Sequence, residues 1–411
     1  MTRTAWRHQV PVRSPISTAA LLAGVRAAVT RNGKPARAEE QVVALLNQWY
    51  RPRAVLLTES GTVALTAAIR SVLKDRPRSP VALPAYACYD LATAADGANA
   101  PVLLYDLDPS TLAPDLAQIQ AILRQGAAAI VVAHLYGYPV DLAPVNRLAA
   151  DTGTVVIEDA AQAAGGMLHN RPVGSQSSLA MLSFGRGKGL TGGSGGALLA
   201  NDDEGVRVLE RARALLSERR RGWPELLTIA AQLLLEHPNL YGLPAALPFL
   251  RLGETIYREP RPLRPPARVS CSIVAATWTL AEREVEVRRR NAKRLLMELR
   301  WKPGFEIVTT PAHARPGYLR LPVLASPEAR RWVADVTARR LGVMPGYPTV
   351  LSDLEEFAPR CLNRDAGFPG ARLLASRLCT LPTHGGLRIR DLDRLEQWIR
   401  VVGGGATSGG S

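Results

Sequence analysis

Of the 51 basic residues in this 411-residue chain, five are lysine and 46 are arginine. A chain that favours the guanidinium so strongly keeps an amine where an amine is needed, because only the amine deprotonates and forms Schiff bases. Lys188 has the setting for such chemistry. It lies in Ser183-Phe184-Gly185-Arg186-Gly187-Lys188-Gly189-Leu190-Thr191-Gly192-Gly193-Ser194-Gly195-Gly196. Glycines on both sides let backbone approach a bound group, and closely spaced N–H groups can cradle a phosphate. A flexible Gly-rich surface loop is the plain alternative. The match to a nucleotide-binding fingerprint is poor, since no strand is read running straight into the loop and no helix after it. Asp159 ends the apolar run Val155-Val156-Ile157 and is followed by small residues against which a flat ring can lie. It is either a helix N-cap or the acid that pairs with the pyridine nitrogen of pyridoxal phosphate and keeps that ring an electron sink. Ser60-Gly61-Thr62 stands between a strand and a helix, as an ordinary cap or as an anion site at a helix N-terminus.

The elements that must position these residues follow an α/β rhythm. Two helices are expected between Ser17 and Trp49, around a loop at 31–35. Short apolar strands are expected at Ala54 to Thr58, Pro80 to Leu83, Val102 to Tyr105, Ala128 to Ala133 and Thr154 to Ile157. Helices are expected at Val63 to Leu73, Leu116 to Gln125 and Leu142 to Thr152. Such alternation implies a mostly parallel sheet covered on both faces, with its site at the C-terminal strand ends. A smaller α/β unit follows from Arg268, with a long helix over Ala275 to Leu299, strands at Phe305 to Val308 and Leu319 to Val323, and helices at Glu328 to Arg340 and Ile389 to Val402.

From about Ser17 to Val402 the chain resembles the DegT/DnrJ/EryC1/StrS aminotransferase family of fold type I pyridoxal phosphate proteins, on nine stretches in the family's order. The resemblance is carried by SGTVAL at Ser60, LPAYACYD at Leu83, YDLDPSTLAPD at Tyr105, HLYGYPVDL at His134, IEDAAQAAGG at Ile157, VGS at Val173, SFGRGK at Ser183, GGALLANDDE at Gly195 and LPTHGGL at Leu381. It implies that Lys188 holds the cofactor as an internal aldimine and then shuttles a proton. Asp159 would pair with the ring nitrogen and Gln162 would lie beside the ring. Gly61, Thr62 and Ser183 would hold the phosphate. An aromatic is expected over the ring, and Tyr86 and Cys88 compete for the place, with Tyr86 preferred. Family dehydratases carry His in place of the Lys, so Lys188 implies amino transfer. Two departures stand out. Arg186-Gly187 precedes the Lys where the family has Pro-Thr or a similar pair, and the Asn-x-Arg signature, contributed by the partner subunit, is reduced to Arg268. Arg186 and Arg268 are therefore candidate phosphate or substrate contacts; Tyr347, reaching in from the C-terminal unit, and His384 are further candidate substrate contacts, each equally readable as a turn residue. His134 is read as a hydrogen-bonded structural histidine.

The resemblance implies a homodimer with shared sites that takes an amino group from an amino acid, glutamate or glutamine, and passes it to a keto group, most naturally on a nucleotide-linked sugar. The formal net charge of +15 suits an anionic acceptor. The rest of the sequence is read in that frame: an N-terminal helical segment 1–50, a cofactor-binding unit 51–208, an apolar insertion 209–267, a C-terminal unit 268–402 and a Gly/Ser tail 403–411. The insertion opens on Arg219-Arg220-Arg221 and carries apolar runs over Leu226 to Leu235 and Leu240 to Leu252. A helical hairpin packed on its own dimer is one reading; others are a lid, a peripheral membrane contact through 219–252, or an amphipathic or lipid-linked acceptor. A non-catalytic regulator that binds the cofactor is a further alternative. Scattered arginines without an aromatic stacking series argue against specific nucleic-acid binding. No histidine has metal-ligand spacing. Four dispersed cysteines and no signal-peptide core fit a reducing cytoplasm.

Overall fold

The computed structural model describes residues 8–29, 36–218, 222–245 and 255–404. Thr18–Val29 (α1) and Ala36–Tyr50 (α2) are the two N-terminal helices. Ala54–Thr58 (β1) leads into Gly61–Leu73 (α3), and Val81–Pro84 (β2), Val102–Tyr105 (β3), Ala129–Ala133 (β4) and Val155–Asp159 (β5) follow. Every residue of β2 to β5 is buried, as expected of strands covered on both faces.

These strands join two that the sequence reading missed, Leu179–Ser183 and Gly196–Ala200. The seven-stranded order is β1, Gly196–Ala200, Leu179–Ser183, β5, β4, β2, β3. Gly196–Ala200 runs antiparallel to both neighbours, and the remaining pairs are parallel. The reading that no strand enters the glycine loop is thus corrected, because Leu179–Ser183 ends where the loop begins. The fold is the expected α/β architecture of fold type I.

The C-terminal part starts with the helix Arg268–Leu299 and builds an antiparallel four-stranded sheet in the order Phe305–Ile307, Leu321–Ala325, Leu378–Leu381, Met344–Pro345. The single helix expected over Glu328 to Arg340 is two, Pro327–Val333 and Val336–Arg340. Asp335 separates them, with extended backbone and a carboxylate that accepts from Thr337 N at 2.9 Å as an N-cap.

In the insertion, Trp223–Leu235 and Pro238–Ala245 form two helices. Leu226 and Ile229 of the first share a buried cluster with Ile16, Ala20, Val269 and Ile273, so one apolar face is spent on α1 and the long helix. Leu227 and Leu234 on the other side are 70% and 64% exposed. Among the described residues no helix is long and apolar enough to cross a membrane. The triple arginine and the end of the second apolar run lie outside the described residues.

Candidate active site

Sheet register brings the three sequence pieces to one edge. Thr58 and Ser183 both pair with Gly196, and Asp159 pairs with Met181. The strand that carries Asp159, the strand that opens the Lys188 loop and the β1–α3 turn therefore end side by side. Ser60 caps α3, its Oγ accepting from Val63 N at 3.1 Å. That leaves Gly61 and Thr62 as the first residues of a buried helix whose N-terminal end faces the cavity. Their position depends on glycine: a Cβ on Gly61 would sit 2.8 Å from Met181 Sδ, and one on Gly196 would sit 2.4 Å from the Ser60 carbonyl carbon.

The Lys188 loop is tied to its surroundings at several points. Phe184 closes it through two main-chain bonds, its N–H donating to Gly195 O and its carbonyl accepting from Gly192 N, both at 2.8 Å. Ser194 Oγ lies 2.9 Å from Ser270 Oγ on the long helix. Gly193 has φ +79°, and a Cβ there would meet Ile229 of the insertion at 2.8 Å. From the N-terminal strap, Ser14 Oγ donates to the Lys188 carbonyl at 2.6 Å.

One cavity is lined by Gly61, Thr62, Asp159, Gln162, Ser183 and Lys188, joined by Leu65, Cys88, Asp90, Leu91, Ala161 and Met181. Asp159 is buried, and its Oδ1 accepts from Ala161 N at 2.9 Å. Burial raises its pKa, opposed by that N–H and by the charge of Lys188. Gln162 is held at both ends: Oε1 accepts from Tyr136 N at 2.8 Å, and Nε2 donates to Tyr347 Oη at 2.6 Å. Tyr347 thus reaches the site from the C-terminal part through Gln162.

The preference for Tyr86 over Cys88 does not match the placement of these side chains. Tyr86 is fully buried, 3.1 Å from Tyr136 Oη and accepting from Tyr347 N at 2.9 Å. Its hydroxyl is engaged away from the cavity, whereas Cys88 lines it. Burial, with Asp90 close by, pushes the Cys88 thiol up to about 12, so it is a neutral wall and no thiolate.

Other sequence candidates lie elsewhere. Arg186 is exposed and does not line the cavity. Arg268 faces a separate groove beside α1 and α2, with Arg37 and Gln41. His384 is buried, its Nε2 donating to Val10 O at 2.8 Å and its Nδ1 accepting from Gly386 N at 3.2 Å, so its ring serves the turn and the N-terminal strap. His134 is structural: Nδ1 accepts from Val140 N at 2.9 Å, which leaves the Nε2 proton for Glu158 Oε1 at 3.0 Å. Asp90, Met181 and Arg320 had no assigned role in the sequence. Asp90 stood inside the LPAYACYD stretch, its one available signal. Arg320 is half-buried near Tyr136 and Tyr347 and donates to the carbonyls of Gly342 and Thr380 at 3.2 and 3.1 Å.

The donor set fits pyridoxal phosphate: an amine for its aldehyde, a buried carboxylate for its ring nitrogen, and helix-start N–H groups with the Thr62 and Ser183 hydroxyls for its phosphate. The DegT/DnrJ/EryC1/StrS aminotransferase family model matches residues 20–226. L-glutamine:2-deoxy-scyllo-inosose aminotransferase of Streptoalloteichus tenebrarius is 36% identical over 155 residues, 38% of this chain and 36% of that one. A pleiotropic regulatory protein of Geobacillus stearothermophilus is 36% identical over 140 residues, 34% of this chain and 37% of its own. The chain thus spans little more than a third of the length of these curated relatives. The sugar aminotransferase CalS13 of Micromonospora echinospora shares the fold, with a TM-score of 0.74 at 20% identity over 95% of this chain and 98% of that one. With its family model covering half of the sequence and its fold shared end to end, the chain belongs to the DegT/DnrJ/EryC1/StrS aminotransferase family, whose cofactor is pyridoxal phosphate.

Proposed function

We propose that this chain is an aminotransferase that moves an amino group from an amino acid, glutamate or glutamine, to the keto group of a nucleotide-linked sugar. The observation that carries this reading is the convergence of Lys188, Asp159, Thr62 and Ser183 on one cavity. When bound, pyridoxal phosphate supplies the electron sink for the pair left on the substrate carbon. Lys188 would hold the cofactor through its Nζ, and the freed amine would carry the proton taken from the substrate carbon. Asp159 would pair with the ring nitrogen and hold it protonated, and its burial would strengthen that pairing. The Gly61 and Thr62 N–H groups and the Ser183 hydroxyl, which line the cavity, would hold the phosphate. Gln162, tied to Tyr347, joins the C-terminal part to the cavity.

The activity for which the inosose aminotransferase relative is named supports a keto-cyclitol or keto-sugar acceptor and a glutamine donor. The chain is read as a homodimer, with Arg268 offered across the subunit interface; sedimentation at micromolar concentration tests this, and a monomer contradicts it. The regulatory name of the Geobacillus relative favours a second reading, a protein that binds the cofactor without turnover. Incubating the loaded protein with L-glutamate or L-glutamine and a panel of keto-sugar nucleotides, and measuring the 2-oxo acid and amino sugar formed, separates the two. Turnover of an amphipathic ketone alone would replace the sugar acceptor.

A further inference from the structure

The N-terminal strap, residues 8–16, is fixed on both sides of Ser14. Upstream, Gln9 N donates to Arg340 O at 2.9 Å, and Val10 O accepts from His384 Nε2 at 2.8 Å. Downstream, Ile16 packs into the cluster of Leu226, Ile229, Val269 and Ile273. Ser14 itself is fully buried, and its N–H donates to Glu236 Oε1 at 3.5 Å. A side chain held from both directions is a fixed point for whatever it bonds.

The Ser14 hydroxyl bonds the main chain of the reactive residue, donating to Lys188 O at 2.6 Å across 174 positions. The neighbours of Lys188 in sequence give its backbone little restraint. Gly187 precedes it with φ +69°, and a Cβ on Gly187 would meet nothing within 4 Å. Gly189 follows it and lies against Ala164 and the Arg288 guanidinium. Nε and Nη1 of that guanidinium have no hydrogen-bond partner among the described residues, and its Nη2 donates to Ala164 O. That side of the loop is therefore packed without being hydrogen-bonded. A glycine on each side leaves the Lys188 peptide free to pivot, so the direction in which its side chain leaves the loop depends on the bond that holds its carbonyl.

We infer that Ser14 is a positioning residue for Lys188, a role that rests on the proton-carrying task proposed for that lysine. By holding the Lys188 carbonyl, Ser14 keeps Nζ aligned with the substrate carbon. The test is Ser14→Ala in the full chain, with two readouts. The first needs no cofactor: limited trypsin digestion, followed by mass spectrometry of the fragments that end at Arg186 and Lys188. The variant is cut at these two bonds several-fold faster than wild type, with cutting elsewhere and the circular dichroism unchanged. The second is stopped-flow bleaching of the visible band of the pyridoxal phosphate-loaded protein. The probe is whichever of L-glutamate and L-glutamine bleaches wild type, with hydrogen or deuterium on its α-carbon. At saturation the variant bleaches about tenfold more slowly, because misplacing a reacting group is expensive in rate. Its half-saturating concentration is unchanged, and its isotope effect is larger, since proton transfer has become the slower step. Wild-type cutting at both bonds in Ser14→Ala overturns the tether. Wild-type bleaching with the wild-type isotope effect overturns the positioning role. A wild-type protein with no bleachable band contradicts the aminotransferase reading instead, and the trypsin readout still decides the tether.

Discussion

Asp159 and His384 are both buried ionisable groups, and their surroundings give them opposite tasks. Asp159 is buried beside Lys188, and a cationic ring nitrogen would restore the counter-charge that burial demands. Asp159→Asn removes that charge and keeps the shape, so kcat should fall on the order of 10²–10³-fold with the fold intact, read by steady-state turnover beside circular dichroism. His384 is held neutral, its pKa lowered by burial from 6.5 to about 4. The unfolded chain binds the proton more tightly, so the contribution of His384 is fully present above pH 6.5 and is lost as pH falls toward 4. That window is worth roughly 2–4 kcal/mol by linkage. Glu236 acts with the opposite sign, since its raised value, about 7 against 4.5, makes its contribution fade as pH rises between the two. The difference between wild type and His384→Gln isolates the histidine: in urea melts the variant should lose less stability than wild type between pH 6.5 and 4.5.

At the scale of elements, the site depends on how closely Gly196–Ala200 approaches the β1–α3 turn. Gly196→Ala forces its methyl into Ser60 and Gly61 backbone, so cofactor affinity should drop by at least tenfold, measured by equilibrium dialysis. The insertion helix supports the same loop from the other side. Ile229 is fully buried against Gly193 and the long helix; Ile229→Ala should cost about 2–4 kcal/mol in chemical denaturation. Neither support was legible in the sequence. Leu179–Ser183 and Gly196–Ala200 are five-residue apolar runs bounded by serine and glycine, and the glycine punctuation between them masked the strands. The β1 to β5 strands were legible because they are apolar runs spaced by helices. The insertion read as a hairpin from its apolar runs, but its partners, α1 and the long helix, are set by long-range packing with no local signal.

For the whole molecule, the central residues were legible because their chemistry is carried by type and order: a rare lysine between glycines, an acid at a strand end, and a Ser-Gly-Thr helix start. Cys88 and Tyr86 could not be separated, because two residues of one turn differ only in which side of it they face, and that is decided by Tyr136 and Tyr347 far along the chain. Gln162 gained its tie to Tyr347 in the same way, across 185 positions. Such contacts join the C-terminal part to the cavity that Lys188 lines. The claim that this cavity is a working pyridoxal phosphate site is tested most directly by the visible absorbance of the purified protein given pyridoxal phosphate, beside Lys188→Ala, before and after L-glutamate or L-glutamine. The account predicts a visible band in wild type only, bleached by one of the two amino acids. An identical spectrum in wild type and Lys188→Ala, or no band at all, would contradict it.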